Sequence, residues 1–355
     1  MKHYLFVVTT LGGGGAERVV SVLSSELAKK DKVTILAYYK TEEEYDRSSD
    51  VNVVYMTKEG QSYERMNYYH RLTNIRRIIK SEDPDYVIPF LSQVCMQVTV
   101  ALLGTNYKVI QTVRNDPATL PKSKMVRVFR DRLVKHSYKT IVQNENQKDY
   151  FPKSWHKKIY VLFNPVSEKL LSNVWEPNKE EYTICGVGRL DTQKNFPLLI
   201  DSFIQALSSM PNAVLRIYGD GPLAKELQQY INKTDHKDRI ILMGRTTDIG
   251  FVYKKASLFV LSSDYEGMPN ALIEAMAVGV PCIATDCPTG PSDLIRSGEN
   301  GLLVPMRNVD AMASAMAKMY MDTDRCKKIS SKAKQTIWEL CAPEQIAKQM
   351  RNICN

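Results

Sequence analysis

The chain has 355 residues, 44% of them apolar and 25% charged, with a formal net charge of +9. These are the proportions of a soluble globular protein, and the length predicts two domains. No apolar run approaches the ~20 residues that a membrane span needs. Seven cysteines without a C-x-x-C pair argue against a zinc site or a disulfide framework and fit free thiols in a reducing cytosol.

The charge is unevenly placed. Residues 1–165 hold 26 Lys+Arg against 17 Asp+Glu, whereas residues 166–355 hold 22 of each. The whole positive excess therefore lies in the first half, as expected of two domains with different electrostatic partners.

The N-terminal "MKHYLFVVTTLGGGGAE" has one Lys, a short apolar run and no small-residue cleavage site. It reads as a first strand and not as a signal peptide. Strands are predicted at 3–9, 32–37, 51–56, 86–90, 107–112, 140–143 and 159–163, with helices between them, among others at 16–29, 64–80 and 122–136. The loop after the first strand, with Gly14 and Gly15 opening the helix, has two open readings. It either lets backbone N–H groups approach a phosphate or is a plain strand-to-helix turn. Its spacing is neither G-x-G-x-x-G nor a P-loop, so it signals neither a nicotinamide cofactor nor ATP.

In 64–80, Tyr68, Leu72, Ile75 and Ile79 fall on one helical face, with Arg65, Arg76, Arg77 and Lys80 largely on the other. In 122–136, Met125, Phe129 and Leu133 form a stripe, with Lys124, Arg127 and Lys135 away from it. Basic amphipathic helices suit an anionic membrane surface and a lipid-linked diphosphate; the plain alternative is a solvated helix face. Asp83-Pro84-Asp85, a D-x-D before a predicted strand, reads as a helix-ending turn and not as a metal site.

The stretch 164–181 carries prolines and asparagines without clean periodicity and reads as an interdomain linker. The strand–helix pattern then restarts, with strands at 182–188, 213–219, 239–244, 258–262, 281–285 and 301–305. An α/β fold with two parallel sheets in tandem follows.

Three strand ends of the second half carry candidate chemistry. "GVGRLDTQKNFPLLI" places Arg189 and Lys194 beside a helix start, where two cations suit a diphosphate. "YGDGP" reads as a structural turn with Pro222 starting a helix, and "MGRTTDI" puts Arg245 in a strand-to-helix loop. In "YEGMPNALIEAMAVGVP", Pro269 and Asn270 open a helix whose first N–H groups, such as those of Ala271 and Leu272, are expected to face an anion. Glu274, a turn inside, can accept two ribose hydroxyls. Glu266, held in the turn beside Gly267 and Met268, can accept hydroxyls of a second sugar. Together they would make a receptor for a sugar–diphosphate–nucleoside; exposed helix charges would account for Glu274 alone but not for the glycine and proline that fix Glu266.

Glu266-x7-Glu274, "GRLDTQKN", "YGDGP" and "GENGLLVP" occur in the order and spacing of retaining GT-B glycosyltransferases of the large family 4, and "GGAERV" (14–19) resembles a bacterial branch of it. The resemblance covers nearly the whole chain and is strongest over 183–305. It implies a GT-B fold, with two Rossmann-like parallel-sheet domains facing across a cleft. Residues 1–165 with the terminal helix 343–355 would bind the acceptor, and 166–342 the nucleotide sugar. It further implies that Arg189 and Lys194 neutralise the donor diphosphate, Glu274 holds the ribose, and Glu266 with Gly267, Met268, Pro269 and Asn270 holds the transferred sugar. The Gly14-Gly15 loop would approach that sugar, and Arg245 would lie near the base. No cofactor and no metal are implied. Many relatives carry a histidine after the fifth strand; here the segment is "QTVRNDPA", so Arg114, Asn115 and Asp116 become candidate donor-sugar or acceptor contacts.

The expectation is a peripheral enzyme on the cytoplasmic face of the membrane. It would move a hexose or N-acetylhexosamine, UDP-linked by family preference, onto a polyprenyl-diphosphate-linked glycan. A transferase with a small soluble acceptor and a sugar-nucleotide epimerase are nearer rivals. A nucleic-acid-binding protein would use the basic half but leave the motifs of the second half idle.

Overall fold

The computed structural model describes residues 1–57, 66–178 and 180–355. The chain divides into two units, Met1–Pro165 with Pro343–Asn355, and Val166–Ala342. The first runs β1 (His3–Val8), α1 (Gly15–Ala28), β2 (Lys32–Ala37), β3 (Val51–Tyr55), α2 (Tyr68–Glu82), β4 (Tyr86–Pro89), α3 (Ser92–Ala101), β5 (Lys108–Thr112), α4 (Lys124–His136), β6 (Lys139–Val142), α5 (Glu145–Asp149) and β7 (Ile159–Val161). The second runs α6 (Glu168–Ser172), β8 (Tyr182–Val187), α7 (Phe196–Ala206), β9 (Ala213–Tyr218), α8 (Ala224–Asn232), β10 (Ile240–Gly244), α9 (Ile249–Lys255), β11 (Leu258–Leu261), α10 (Asn270–Val278), β12 (Cys282–Thr285), α11 (Pro291–Leu294), β13 (Leu302–Val304), α12 (Val309–Met321) and α13 (Thr323–Cys341). The last helix, α14 (Pro343–Cys354), belongs to the first unit.

Both sheets are parallel, in the orders β3-β2-β1-β4-β5-β6-β7 and β10-β9-β8-β11-β12-β13. Each order reverses beside its first strand, which is the Rossmann-like arrangement. Near-continuous apolar strands reflect burial on both faces. Along β1, Tyr4, Phe6 and Val8 pack with Val19, Leu23 and Leu27 of α1, while Leu5 and Val7 pack with Ile75 and Ile79 of α2 and Val98 of α3. In the second unit, Ile184, Leu215, Ile217 and Val260 pack with Leu199 and Phe203 of α7 and Met312 and Met316 of α12.

α14 lies on the α1 face of the first sheet. Ile346, Ala347, Met350, Ile353 and Cys354 recur at helical spacing and are all buried there. Arg351 Nε meets Asp31 Oδ2 at 2.7 Å, and Lys139 Nζ donates to the Ile353 carbonyl at 2.5 Å, neutralising a helix C-terminus.

Two expectations are corrected. The stretch 164–181 is no free linker. It holds α6 with Leu170 and Leu171 buried, and Trp175 Nε1 donates to Ala256 O at 2.7 Å. Pro222 does not start α8, which begins at Ala224. Helix α4 lies at the surface of the first unit. Its apolar stripe faces outward, with Met125 83% and Phe129 43% exposed, while Arg130 and Val134 are the residues turned inward. Arg130 is held there by Asp131 at 2.7 Å and by the carbonyls of Leu120 and Pro117, so a loop-pinning arginine takes the place an apolar side chain would have.

Candidate active site

The site of the second unit is built at the carboxyl ends of β8 and β11, the edge where parallel α/β sheets bind ligands. The chain leaving β8 crosses "YGDGP", where Gly219 has φ 142 and its Cα lies so close to the Gly188 carbonyl that an added Cβ would overlap it. That turn therefore braces the arm bearing Arg189. The Arg189 side chain is 72% exposed and 3.9 Å from Asp191, open to an incoming anion.

Lys194 runs along Gly188 and ends 2.6 Å from Glu266 Oε1. Ser263 Oγ donates to the same oxygen at 2.6 Å, and Gln193 Nε2 reaches Oε2 at 3.3 Å and the Tyr265 carbonyl at 2.9 Å. Thr289 Oγ1 fastens the Glu266 carbonyl. Glu266 is 5% exposed and the Lys194 side chain 17%, so both charges are largely desolvated and held by matched partners. The ammonium has three donors, of which Glu266 takes one, so a phosphate oxygen can share it. Asn195, at φ 44, caps α7 through Leu198 N and fixes Lys194 just before the helix. Burial and the Glu266 carboxylate push the neighbouring Cys287 thiol up to about 12, keeping it protonated.

α10 begins at Asn270 after Pro269, and Met268 is buried. The Leu272 N–H donates to the Pro269 carbonyl at 3.0 Å, so the expected anion contact from Leu272 is corrected. Glu274 is 4% exposed on α10, with Tyr253 Oη 3.3 Å from Oε2. Arg245 follows β10 and is exposed. Sequence reasoning singled out Lys194 and Glu266 but not their pairing, nor Gln193, Ser263, Thr289 and Tyr253. The signals for the first three were polar residues beside the two motifs and the Thr-Gly-Pro turn at 289–291.

In the first unit, Gly14 caps α1 and carries no side chain because the Glu17 carboxylate folds back upon it: a Cβ there would meet Glu17 Oε2 at 2.1 Å. Glu17 is buried, and desolvation raises its pKa. Of the two readings of the glycine loop, a phosphate cradle is thereby disfavoured, because the helix terminus already holds its own carboxyl. Asp116 is a turn former, accepting the Ala118 N–H at 2.9 Å, while Asn115 is exposed. Arg114, half-buried, rests over the Phe90 ring.

Of the basic residues assigned to membrane or acceptor diphosphate, Arg76 donates to the carbonyls of Ala101 and Leu103 at 3.2 and 3.1 Å and thus closes α3. Arg127 donates to Pro121 O and Lys122 O, both at 2.8 Å. Both are corrected to structural roles. Arg77, Lys80 and Lys124 are exposed, and Arg65 lies outside the described residues. Asp83 and Asp85 serve the fold, accepting from Tyr107 Oη and His3 N.

The two Rossmann-like units and these strand-end motifs are those of a sugar-transferring enzyme, and comparison with known proteins shows the family. Residues 13–170 match the family described as Glycosyltransferase Family 4, and residues 167–336 match Glycosyl transferases group 1. The protein is a glycosyltransferase of GT-B architecture with a family 4 domain followed by a group 1 domain. It is 26% identical to a Campylobacter jejuni alpha-1,4-N-acetyl-D-galactosaminyltransferase named for a PP-undecaprenol acceptor, covering 94% of this chain and 93% of the relative. It is 32% identical to an Escherichia coli UDP-Gal:alpha-D-GlcNAc-diphosphoundecaprenol alpha-1,3-galactosyltransferase over 41% of this chain and 38% of that one. Its fold matches that of S. aureus TarM, solved as a mutant with UDP, with a TM-score of 0.82 at 15% identity over all of both chains.

Proposed function

We propose that this enzyme moves a hexose or N-acetylhexosamine from a UDP-sugar to a polyprenyl-diphosphate-linked glycan, forming an α-linkage with retention and without a metal. The observation that carries the reading is the buried Lys194–Glu266 pair, set beside exposed Arg189 at one sheet edge. Relatives named for undecaprenol-linked acceptors support the acceptor class, and a UDP-Gal-dependent relative supports the donor.

In this reading Arg189 and Lys194 meet the donor diphosphate, and the cations take up charge as the glycosidic bond opens and the diphosphate departs. Glu266 is fixed by Ser263 and Gln193 and keeps lone pairs for hydroxyls of the transferred sugar. Gly267 to Asn270 shape the sugar site, Glu274 holds the ribose, and Arg245 lies by the base. Because the leaving charge is met by side-chain cations and the N-terminal end of α10, EDTA is expected to leave the rate unchanged.

The first unit supplies the acceptor side, and its α4 supplies a membrane contact. The exposed face of α4 carries Met125, Val128 and Phe129 with Lys124, Arg132 and Lys135, and no acidic residue. Apolar groups flanked by cations suit an anionic lipid surface. The protein would then work peripherally on the cytoplasmic face.

The test is a thermal-shift screen against UDP, GDP, ADP and their common sugar conjugates, repeated with Glu274→Ala. A nucleotide at 100 times its Kd stabilises by ~2.7 kcal/mol. A UDP-specific shift that disappears in the variant is expected; no shift with any nucleotide would remove the donor assignment.

A further inference from the structure

Arg114 is the residue whose environment the fold leaves unexplained. It leaves the carboxyl end of β5 two residues after Thr112. Its guanidinium lies 4.9 Å from the centre of the Phe90 ring and donates through Nη2 to Asn164 Oδ1. The same Asn164 oxygen accepts Gln143 Nε2 at 3.1 Å. Gln143 follows β6, and Asn164 follows β7, so one polar network joins the ends of three adjacent parallel strands. That is the ligand-binding edge of such a sheet.

What the network lacks is a negative charge. Among the described residues no carboxylate reaches Arg114, and the one charge-bearing neighbour in range is the Cys95 thiol, itself raised to about 11 by burial and so neutral. Burial pulls the Arg114 pKa down to about 10, which still leaves it charged at neutral pH. An uncompensated cation that has lost part of its water lowers stability. The network is also unfinished elsewhere: Gln143 Oε1 and Gln147 Nε2 are buried without a partner, although both residues are at most 2% exposed. A narrow cleft walled by Val19, Phe90, Thr112, Leu162 and Pro165 lies against the guanidinium.

We infer that Arg114, aimed by Asn164 and Gln143 and backed by Phe90, is a binding site for a phosphate-type anion in the first unit, separate from the diphosphate cations Arg189 and Lys194 of the second. The planar guanidinium presents five donors, and Asn164 occupies only one edge, leaving a fork that fits two phosphate oxygens. Assigning that anion to the acceptor diphosphate rests on the transferase reading above; the anion site itself does not.

The test measures the affinity of the full-length protein for inorganic pyrophosphate, farnesyl diphosphate and UDP, with wild type, Arg114→Gln and Arg114→Lys. Loss of the fork is expected to weaken pyrophosphate and farnesyl diphosphate roughly 10- to 100-fold in Arg114→Gln, with Arg114→Lys intermediate and UDP unchanged. A loss confined to UDP would keep the anion site and give it to the donor. Unchanged affinity for all three, or a wild type that binds neither pyrophosphate nor farnesyl diphosphate nor UDP, would overturn the site. Melting in anion-free buffer separates binding from structure. An uncompensated cation predicts a Tm for Arg114→Gln equal to or above wild type, whereas a merely structural arginine predicts a lower Tm and unaltered pyrophosphate affinity. If UDP binds wild type while Arg114→Gln changes nothing, the site fails and the transferase reading stands.

Discussion

Lys194 and Glu266 serve the fold, and in the proposed function the chemistry as well. Separated by 72 positions, they meet at 2.6 Å in a place where neither charge has enough water to stand alone. Lys194→Ala removes the cation and leaves a buried carboxylate, which costs about 3 kcal/mol by analogy with other broken buried pairs. Urea unfolding of the variant is therefore expected to show that loss along with loss of transfer; a cost below about 1 kcal/mol would mean that water compensates Glu266. Glu17 makes a prediction of the opposite kind. Its folded pKa is raised by burial, so the folded state holds a proton that the unfolded chain releases first, and stability falls as pH rises from the ordinary glutamate value through the folded one. Glu17→Gln should melt like wild type at a pH below both values and at a higher temperature at neutral pH. Equal melting at pH 4 and pH 7.5 in both proteins would show that its burial carries no proton linkage.

Among the elements, α4 departs most from what periodicity predicts. Its stripe of Met125, Phe129 and Leu133 is turned away from the core, and Arg130 and Val134 point inward because the preceding loop offers carbonyls that a guanidinium can satisfy. Exposed as they are, Met125 and Phe129 can be changed without disturbing the core. Met125→Ser combined with Phe129→Ser should leave the Tm unchanged and weaken co-sedimentation with anionic vesicles tenfold or more, since burying each apolar side chain is worth roughly 1.5–3 kcal/mol. Undiminished sedimentation would move the membrane contact elsewhere. The strands were far more legible. All were visible as short β-rich apolar runs, with ends displaced by one or two residues, because a strand buried on both faces needs apolar residues throughout. The helix α6 was missed since its five residues carry too little periodicity to stand out among prolines and asparagines.

At the scale of the whole molecule, charge is the property that separates the halves. The excess of nine positive charges lies within residues 1–165, and surface fields of that sign reach only about a Debye length. Vesicle binding is therefore expected to fall steeply between 0.05 and 0.5 M NaCl for anionic lipid and to be weak throughout for neutral lipid; salt-independent binding would point to apolar insertion alone.

The α/β class, the two parallel sheets and the order of the strand-end motifs could be read along the chain, because periodicity and turn chemistry are written in neighbouring residues. Tertiary structure alone decided which side chains meet. Lys194 found Glu266 across 72 positions, Arg114 found Asn164 across 50, Arg76 and Arg127 were drawn to backbone carbonyls, and Glu17 folded over Gly14. Such choices depend on which desolvated groups the packed chain brings within hydrogen-bond reach, and no single segment carries that information.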